Sequence, residues 1–225
     1  MSADVRGDAT ADVVVLGTGA AGLAAALAAA IRGASVLLVE KTALIGGTTA
    51  ISGGTVWIPA NLAAATAAAG ASDSPVAALA YLRAGGGGSE RPALLEAYVA
   101  SGARMLFELE RASALRFVVG PQSDYHPEHP GGRLAGRSLV PAPIDPKPLG
   151  ALAEHVRSAT MPLDRAELYG SLSPVAMPSP EDGPRWIGGR ALVGGLLQAA
   201  LARGAQVRRS CRARRLLVGE GGRVV

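Results

Sequence analysis

The sequence has little cysteine, few aromatic residues and no signal-like start, and each shortage excludes a class of protein. Cys211 is the only cysteine among 225 residues, so an internal disulfide and a Cys-x-x-Cys motif are both impossible. Aromatic residues make up 4% of the chain, which favours close packing of small side chains between helices and a sheet over a bulky β-sandwich core. Residues 1–11 are polar and lack the pattern of a signal peptide. We therefore expect a cytoplasmic protein.

Two further features suggest a membrane or a nucleic-acid partner, but their residue patterns argue against both. Residues 13–31 carry no charge and have the length of a membrane span, but three glycines interrupt them and their second half is mostly alanine, so we expect no membrane span. The net charge of +4 comes largely from arginines near the C-terminus, which could indicate a nucleic-acid surface. They have no interleaved aromatic residues, so we expect a solvated surface and no nucleic-acid partner. These arginines are Arg203, Arg208, Arg209, Arg212, Arg214 and Arg215.

The N-terminal region has the pattern of a right-handed βαβ unit. A short β-branched run at 12–16 predicts a buried parallel strand, and small residues at 20–32, closed by Gly33, predict a helix. A second apolar run at 35–40 predicts another buried strand. Two parallel strands joined by a helix form a right-handed unit in nearly all proteins.

The remaining elements are predicted from turn residues and periodicity. Ser74 and Pro75 start a helix as N-cap and first-turn residue, which the glycine run at 85–88 ends. The further predictions are a helix over 92–113 with Gly102 as a candidate break, a strand over 115–119, a loop over 122–148, a helix over 189–203, a strand over 206–218 and a hairpin turn over 220–223. Because the last two residues start the returning strand, we expect the chain to be a fragment or a truncated gene product.

Residues 17–22 match the dinucleotide-binding pattern G-x-G-x-x-G between a predicted strand and a predicted helix. Gly17 allows the tight turn. Gly19 has no Cβ, so a pyrophosphate can approach its backbone, and Gly22 lets the helix pack against the sheet.

The residues around this turn complete a dinucleotide site. The N–H groups near Ala20 and Ala21, in the first helical turn, would face the phosphates. Glu40 lies at the end of the second strand, close to the typical spacing of about 20 residues from the last glycine. Its carboxylate would accept hydrogen bonds from the adenosine ribose, and it disfavours the 2′-phosphate of NADP.

A second glycine-rich loop, at 45–59, favours FAD over NAD. A plain NAD-binding fold needs no such loop soon after the second strand. Small residues let backbone approach a flat ring, while Thr48, Thr49 and Ser52 offer hydroxyls to phosphate or ribitol oxygens. Apolar residues such as Ile45 and Trp57 distinguish this loop from a flexible linker.

These motifs resemble the fumarate reductase/3-ketosteroid Δ1-dehydrogenase flavoprotein superfamily. The resemblance rests on 17–22, 40–42 and 46–59, and two further parts narrow it towards the ketosteroid dehydrogenases. One comprises 124–125, 136–138 and 141–150, and the other runs from 187–192 through 213–225. The superfamily implies an α/β fold: a Rossmann-like FAD-binding domain with a parallel sheet, plus part of a mixed α+β substrate or cap region. We expect a tail at 1–11, this domain over 12–225, and a helical and loop excursion over 75–185 on the substrate side.

The resemblance also implies a set of FAD contacts. Members with covalently attached flavin have a histidine in the second glycine loop; this loop has none, so we expect non-covalent FAD. The implied contacts are Gly17, Gly19, Ala20, Ala21, Gly22, Glu40, Lys41, Thr42, Gly47, Thr48, Thr49, Ser52, Gly53 and Gly54, with backbone near Ala213 contacting the adenine.

The implied reaction is 1,2-desaturation of a 3-ketosteroid or similar cyclic ketone, with hydride transfer to flavin N5. Tyr125 matches a family tyrosine whose implied catalytic role is to hydrogen-bond a general-base tyrosine and favour its phenolate. His126 follows it where a second aromatic would be usual. Two alternatives remain: a fumarate reductase-like enzyme acting on a dicarboxylate, and a fragment that binds FAD weakly or not at all and catalyses nothing.

A metal site at His126, Glu128 and His129 is the other candidate in this segment. His-x-x-His can ligate zinc, but Pro127 and Pro130 indicate turns, and neither a cysteine nor the third histidine lies nearby. We expect no metal.

Overall fold

The computed structural model describes residues 10–61, 73–86, 91–158, 184–220 and 224. Its first sheet is parallel, with strand order β1-β2-β6: β1 is Val13–Leu16, β2 is Val36–Val39 and β6 is Gln206–Arg208. Helix α1 (Ala20–Ile31) connects β1 to β2. The predicted βαβ unit is confirmed, with each element one or two residues shorter than its sequence pattern.

Helix α1 ends where the sequence predicts. Gly33 adopts φ +83°, the left-handed conformation that glycine tolerates best, and its N–H donates to the carbonyl of Ala30 at 3.0 Å. Leu23 and Leu27 are fully buried on one side of the helix. That side packs with α4 (Gly188–Leu201), which is almost wholly buried. The main core therefore lies between the two helices and one face of the parallel sheet.

Strand β1 is parallel but is not buried on both faces, which corrects the sequence prediction. Val15 is 9% exposed, whereas Val14 and Leu16 are 51% and 52% exposed. The strand lies at the edge of the described sheet, and alternate side chains point to opposite faces. Only the face towards α1 and α4 is covered by described residues.

The second sheet is antiparallel, with strand order β3-β5-β4. Strand β3 is Val56–Trp57, β4 is Phe117–Val119 and β5 is Ser138–Pro141. The predicted loop at 122–148 is therefore wrong in part, because β5 lies within it. Flanking glycine and proline hid a strand whose four residues are all buried. A 3-10 segment, Lys147–His155, follows.

Two helices precede β4. Helix α2 (Pro75–Gly85) begins as predicted, because Ser74 Oγ accepts from the N–H of Ala77 at 3.1 Å. Helix α3 (Pro92–Ala112) continues through Gly102 without a break. Gly102 is buried, and a Cβ there would lie 3.3 Å from Ile58. This glycine allows close packing of the helix rather than interrupting it.

The last predicted strand is much shorter than its pattern. After β6, residues 209–217 form no regular secondary structure, and eight of the nine are exposed, so no buried face holds them in a sheet. Val218 forms an antiparallel bridge with Val224, which agrees with the expected hairpin. The turn residues 221–223 lie outside the described residues, as do 1–9 of the tail and 159–183 of the excursion. Among the described helices, none is both long and apolar enough to cross a membrane.

Candidate functional site

The first glycine turn lies at the carboxyl end of β1. Gly17 adopts φ +98°, and its N–H donates to the carbonyl of Val39 at 2.8 Å. Gly19 is the N-cap residue of α1 and has no side chain to cap the helix. The first N–H groups of α1 therefore depend on acceptors from outside the helix, and the helix dipole favours anionic ones.

Gly22 is the most tightly enclosed of the three motif glycines. A Cβ added to it would lie 2.2 Å from the carbonyl oxygen of Gly17 and 3.4 Å from Val15. Real Cβ atoms do not approach an oxygen so closely, so any other residue would push α1 away from the turn. The motif spacing is set by this contact between helix and turn.

Glu40 lies directly beside the first turn. Its side chain is 5% exposed, and its Oε2 accepts from the N–H of Thr18 at 3.2 Å and from the Thr18 hydroxyl at 2.6 Å. Its Oε1 accepts from the N–H of Thr42 at 3.0 Å. The carboxylate thus joins the turn to the end of β2, as the sequence spacing predicts.

The charge and the acceptor capacity of Glu40 follow from these bonds. Burial alone raises the pKa of its carboxyl, but hydrogen bonds from Thr18 and Thr42 outweigh burial and lower that pKa. The Thr42 hydroxyl lies 3.1 Å from Oε1 and 2.6 Å from the carbonyl of Leu44. It has one hydrogen, so its bond to Oε1 competes with the shorter contact to the Leu44 carbonyl.

The second glycine loop packs against the first. The N–H of Ala20 donates to Thr49 Oγ1 at 3.1 Å, and the N–H of Gly46 donates to Thr18 Oγ1 at 3.0 Å. The Ala20 N–H, expected to face phosphates, thus has a protein partner in this structure. Thr49 reaches it because the loop returns over the start of α1. Thr18, which sequence reasoning did not select, is fully buried and joins both loops to Glu40.

The N-terminus of α4 fixes the far side of the second loop. A Cβ on Gly54 would lie 2.4 Å from the backbone of Gly188, and one on Gly189 would lie 1.7 Å from the carbonyl of Thr49. The N–H of Gly189 donates to the Ser52 carbonyl at 2.9 Å. Glycines far apart in sequence therefore allow two backbone segments to meet without side chains between them.

The expected cofactor residues fall into three groups. The first belongs to the packed and hydrogen-bonded assembly just described: Gly17, Gly19, Ala20, Gly22, Glu40, Thr42, Thr49 and Gly54. The second is reached by solvent and comprises the exposed Ala21, Lys41, Thr48 and Ser52 and the half-buried Gly47 and Gly53. Ala213 is exposed and follows Cys211, whose N–H donates to the Glu40 carbonyl at 2.9 Å. The chain segment that leads to Ala213 therefore lies beside Glu40.

Tyr125 is 97% exposed and lines a cavity that the end of the second glycine loop also borders. The cavity has a volume of about 430 Å³, within the size range of small-molecule sites. Its lining includes Thr55 and Trp57 from the end of the second loop, together with Tyr81, Asp124 and Ser138.

A buried charge network supports this cavity, and sequence reasoning missed it. Arg137 is 1% exposed and donates to both oxygens of Asp73 and to Asp124 Oδ2, each at 2.8 Å. Burial alone would lower the pKa of its guanidinium, but Asp73 and Asp124 together raise it. The guanidinium carbon lies 5.5 Å from the Trp57 ring centre and 5.4 Å from that of Tyr81. Aromatic faces and two carboxylates thus surround a single cation.

The network also fixes the backbone next to Tyr125. Trp57 Nε1 donates to Asp124 Oδ1 at 2.7 Å, and the N–H of Arg133 donates to Asp124 Oδ2 at 2.9 Å. The N–H of Asp124 in turn donates to the Arg133 carbonyl at 2.9 Å. The residue immediately before Tyr125 is therefore held through its side chain and its backbone.

The chain is similar in sequence to known dehydrogenases. The chain is 46% identical over 141 residues to a 3-oxosteroid 1-dehydrogenase of Mycobacterium tuberculosis (strain ATCC 25618 / H37Rv), covering 62% of this chain and 25% of the relative. It is 41% identical over 230 residues to 4-oxocyclohexanecarboxylate 2-dehydrogenase of Sinomonas cyclohexanicum, covering 96% and 39%. The chain thus spans between a quarter and two fifths of the length of these curated relatives.

A solved structure shows the same fold. The 3-ketosteroid Δ1-dehydrogenase of Sterolibacterium denitrificans, in complex with 1,4-androstadiene-3,17-dione, superposes with a TM-score of 0.79 at 29% identity, covering 95% of this chain and 43% of that one. The sequence profile described as FAD binding domain matches residues 12–225. The expected α/β fold is thereby confirmed, and the chain belongs to the FAD binding domain family.

Proposed function

We propose that the two glycine loops hold FAD non-covalently, with the diphosphate at the start of α1 and the adenosine ribose at Glu40. The supporting observation is the joint assembly of turn, carboxylate and second loop through Thr18 and Thr49. The proposed contacts are Gly17, Gly19, Ala20, Ala21, Gly22, Glu40, Lys41, Thr42, Gly47, Thr48, Thr49, Ser52, Gly53, Gly54 and Ala213.

The described residues fit this cofactor in two respects. The N-cap residue Gly19 has no capping side chain, so the helix dipole and the first-turn N–H groups other than that of Ala20 can face a diphosphate. The lowered pKa of Glu40 keeps its carboxylate charged beside the turn, which suits a ribose hydroxyl and not a 2′-phosphate. The Ala20 N–H is shared with Thr49, so this hydroxyl and the phosphate would lie side by side.

Non-covalent attachment is proposed because the second loop, 45–59, contains no histidine or cysteine. Acid precipitation of the purified yellow protein tests it. We expect the flavin to stay in the supernatant; flavin remaining with the precipitated chain would contradict this part of the proposal.

We further propose that the whole protein desaturates a cyclic ketone next to its carbonyl. In this reaction one C–H bond loses a proton, the adjacent C–H loses a hydride, and a C=C bond forms. When bound, FAD supplies the oxidant that takes the hydride. Residues 12–225 would form the FAD-binding domain, and the excursion over 75–185, which contributes Tyr81 and Tyr125 to the cavity, would face the substrate.

Tyr125 is the proposed contribution of this chain to proton removal. Its exposed hydroxyl would donate to a general-base tyrosine, which stabilises the phenolate form of that base. The Asp124 contacts fix the backbone from which the Tyr125 side chain extends. Holding this donor in place contributes to catalysis by orientation.

Two substrate classes are compatible with the relatives. A 3-ketosteroid is supported by the 3-oxosteroid 1-dehydrogenases. A small 4-oxocyclohexane carboxylate is supported by the similarity over 96% of the chain to the Sinomonas enzyme. The steroid is the first choice because both a sequence relative and a structural relative act on one.

The experiment first measures FAD binding and then anaerobic bleaching of the bound flavin by each ketone. We expect a yellow 1:1 complex, bleached by a saturated 3-ketosteroid with formation of the 1,2-unsaturated product. Bleaching by the cyclohexanone carboxylate alone would select the second substrate class. A flavin complex that no ketone bleaches would leave a non-catalytic FAD-binding chain, and absence of FAD binding would overturn the proposal.

A further inference from the structure

The segment after Tyr125 forms a tight, anchored turn. The N–H of His129 donates to the carbonyl of His126 at 3.0 Å, and the N–H of Gly132 donates to that of His129 at 2.8 Å. A Cβ on Gly131 would lie 2.1 Å from the carbonyl oxygen of Ala77, so the turn packs closely on α2. Its backbone is therefore fixed at both ends.

Three potential metal ligands meet on this turn. His126 Nδ1 lies 3.1 Å from Glu128 Oε1, and the rings of His126 and His129 stack with centres 4.7 Å apart. One ligand atom from each of the three residues lies within 4.8 Å of the other two. The i, i+3 hydrogen bond produces this arrangement because it directs both imidazoles to the same side.

One ring nitrogen of this cluster lacks a hydrogen-bond partner in the part of the chain that the structure describes. His129 Nδ1 is shielded from solvent and has no hydrogen-bond partner among the described residues. Shielded polar atoms normally have a partner, and a metal ion would supply one.

We propose that His126, Glu128 and His129 bind a divalent transition metal of the Zn²⁺ class, with water completing the coordination. Two imidazoles and one carboxylate are a common zinc ligand set, whereas Mg²⁺ and Ca²⁺ prefer oxygen ligands. Tetrahedral zinc ligands, each about 2.0–2.1 Å from the ion, lie about 3.4 Å apart. The ligand atoms now lie within 4.8 Å of one another, and rotation of the side chains on the fixed turn can bring them to this shorter distance.

The turn that Pro127 and Pro130 indicate helps to form the cluster, contrary to the expectation from sequence that these prolines disfavour a metal site. In the structure the turn itself brings His126 and His129 together, and a preformed turn lowers the entropy cost of binding an ion. The His-x-x-His spacing is the feature of the sequence that indicates this metal site.

The test uses the full chain without an affinity tag, stripped with a chelator and titrated with Zn²⁺ against a chromophoric chelator. We expect one equivalent of Zn²⁺ to bind and to raise the melting temperature. Mg²⁺ should do neither. Failure of the chain to compete for Zn²⁺ would overturn the proposal.

Variants locate the site. The double variant His126→Ala/His129→Ala should lose binding, and Glu128→Gln should weaken it at least tenfold while keeping the size of the side chain. The matched controls are His155→Ala, which removes the third histidine of the chain, and Cys211→Ser, which removes the exposed thiol. Both should bind Zn²⁺ as the unmodified chain does. Loss of binding in either control, or its persistence in the double variant, would contradict the assignment.

Discussion

The glycine-loop region and the Arg137 region hold their backbones in place by opposite means. Around Gly22 and Gly189 the segments meet because side chains are absent, and hydroxyls of Thr18 and Thr49 supply the connecting bonds. Around Arg137 the segments meet because large and charged side chains are present and paired. The first arrangement leaves backbone groups available to a ligand, and the second makes a rigid wall for the neighbouring cavity.

The largest expected effect comes from removing the buried cation. Arg137→Met should destabilise the fold by about 3–5 kcal/mol, because the buried carboxylates of Asp73 and Asp124 lose their partner. Chemical denaturation measures the change. The matched control is Arg32→Met, which breaks an exposed pair with Glu108 and should cost less than about 1 kcal/mol. Equal effects of the two variants would contradict the contrast between the regions.

The next effect concerns the cofactor rather than the fold. Glu40→Gln keeps the size of the side chain but removes its charge, and charged hydrogen bonds contribute about 1.5–3 kcal/mol each. We expect FAD to bind roughly 10–100-fold more weakly, as measured by titration of flavin fluorescence. Arg137→Met, where it still folds, should bind FAD almost normally. Unchanged affinity in Glu40→Gln would exclude Glu40 as the ribose partner.

A smaller loss of stability is expected at the helix–turn contact. Gly22→Ala places a methyl group 2.2 Å from the Gly17 carbonyl oxygen, and such overpacking costs about 1–3 kcal/mol. Gly85→Ala is the control, because no atom lies within 4 Å of its added Cβ. Melting temperatures should separate the two variants, and a Gly22→Ala protein as stable as Gly85→Ala would refute close packing at this turn.

The smallest effect is a dependence on pH. Folding lowers the pKa of Glu40 and of Asp73 from ordinary values of 4.5 and 3.8. Their stabilisation is therefore fully present above those values and is lost as the pH falls through the lower pKa of each folded-state group. Denaturation of the unmodified chain and of Glu40→Gln should show a stability difference that shrinks below about pH 4.5. A difference that grows on acidification would contradict the sign.

The same contrast explains what sequence could predict. The βαβ unit, the Ser74 cap and the position of Glu40 beside Gly17 depend on local patterns, and the structure confirms them. The Arg137 network joins residues 64 and 13 positions apart, so no local pattern reports it. Strand β5 cannot be recognised from the sequence because its flanking glycine and proline residues resemble a loop. The apolar residues 216–218 make the strand after Gln206 look longer than it is, because in the structure they are exposed to solvent.

Gly19→Ala tests whether the diphosphate of FAD lies against the first glycine turn. The added Cβ would lie 3.4 Å from Thr49 Oγ1, an ordinary contact, and the backbone φ of −73° suits alanine. The variant should melt at the same temperature as the unmodified apoprotein but bind FAD at least roughly tenfold more weakly, a loss of about 1.4 kcal/mol. Equal FAD affinity in a correctly folded Gly19→Ala chain would show that the diphosphate does not lie against this turn.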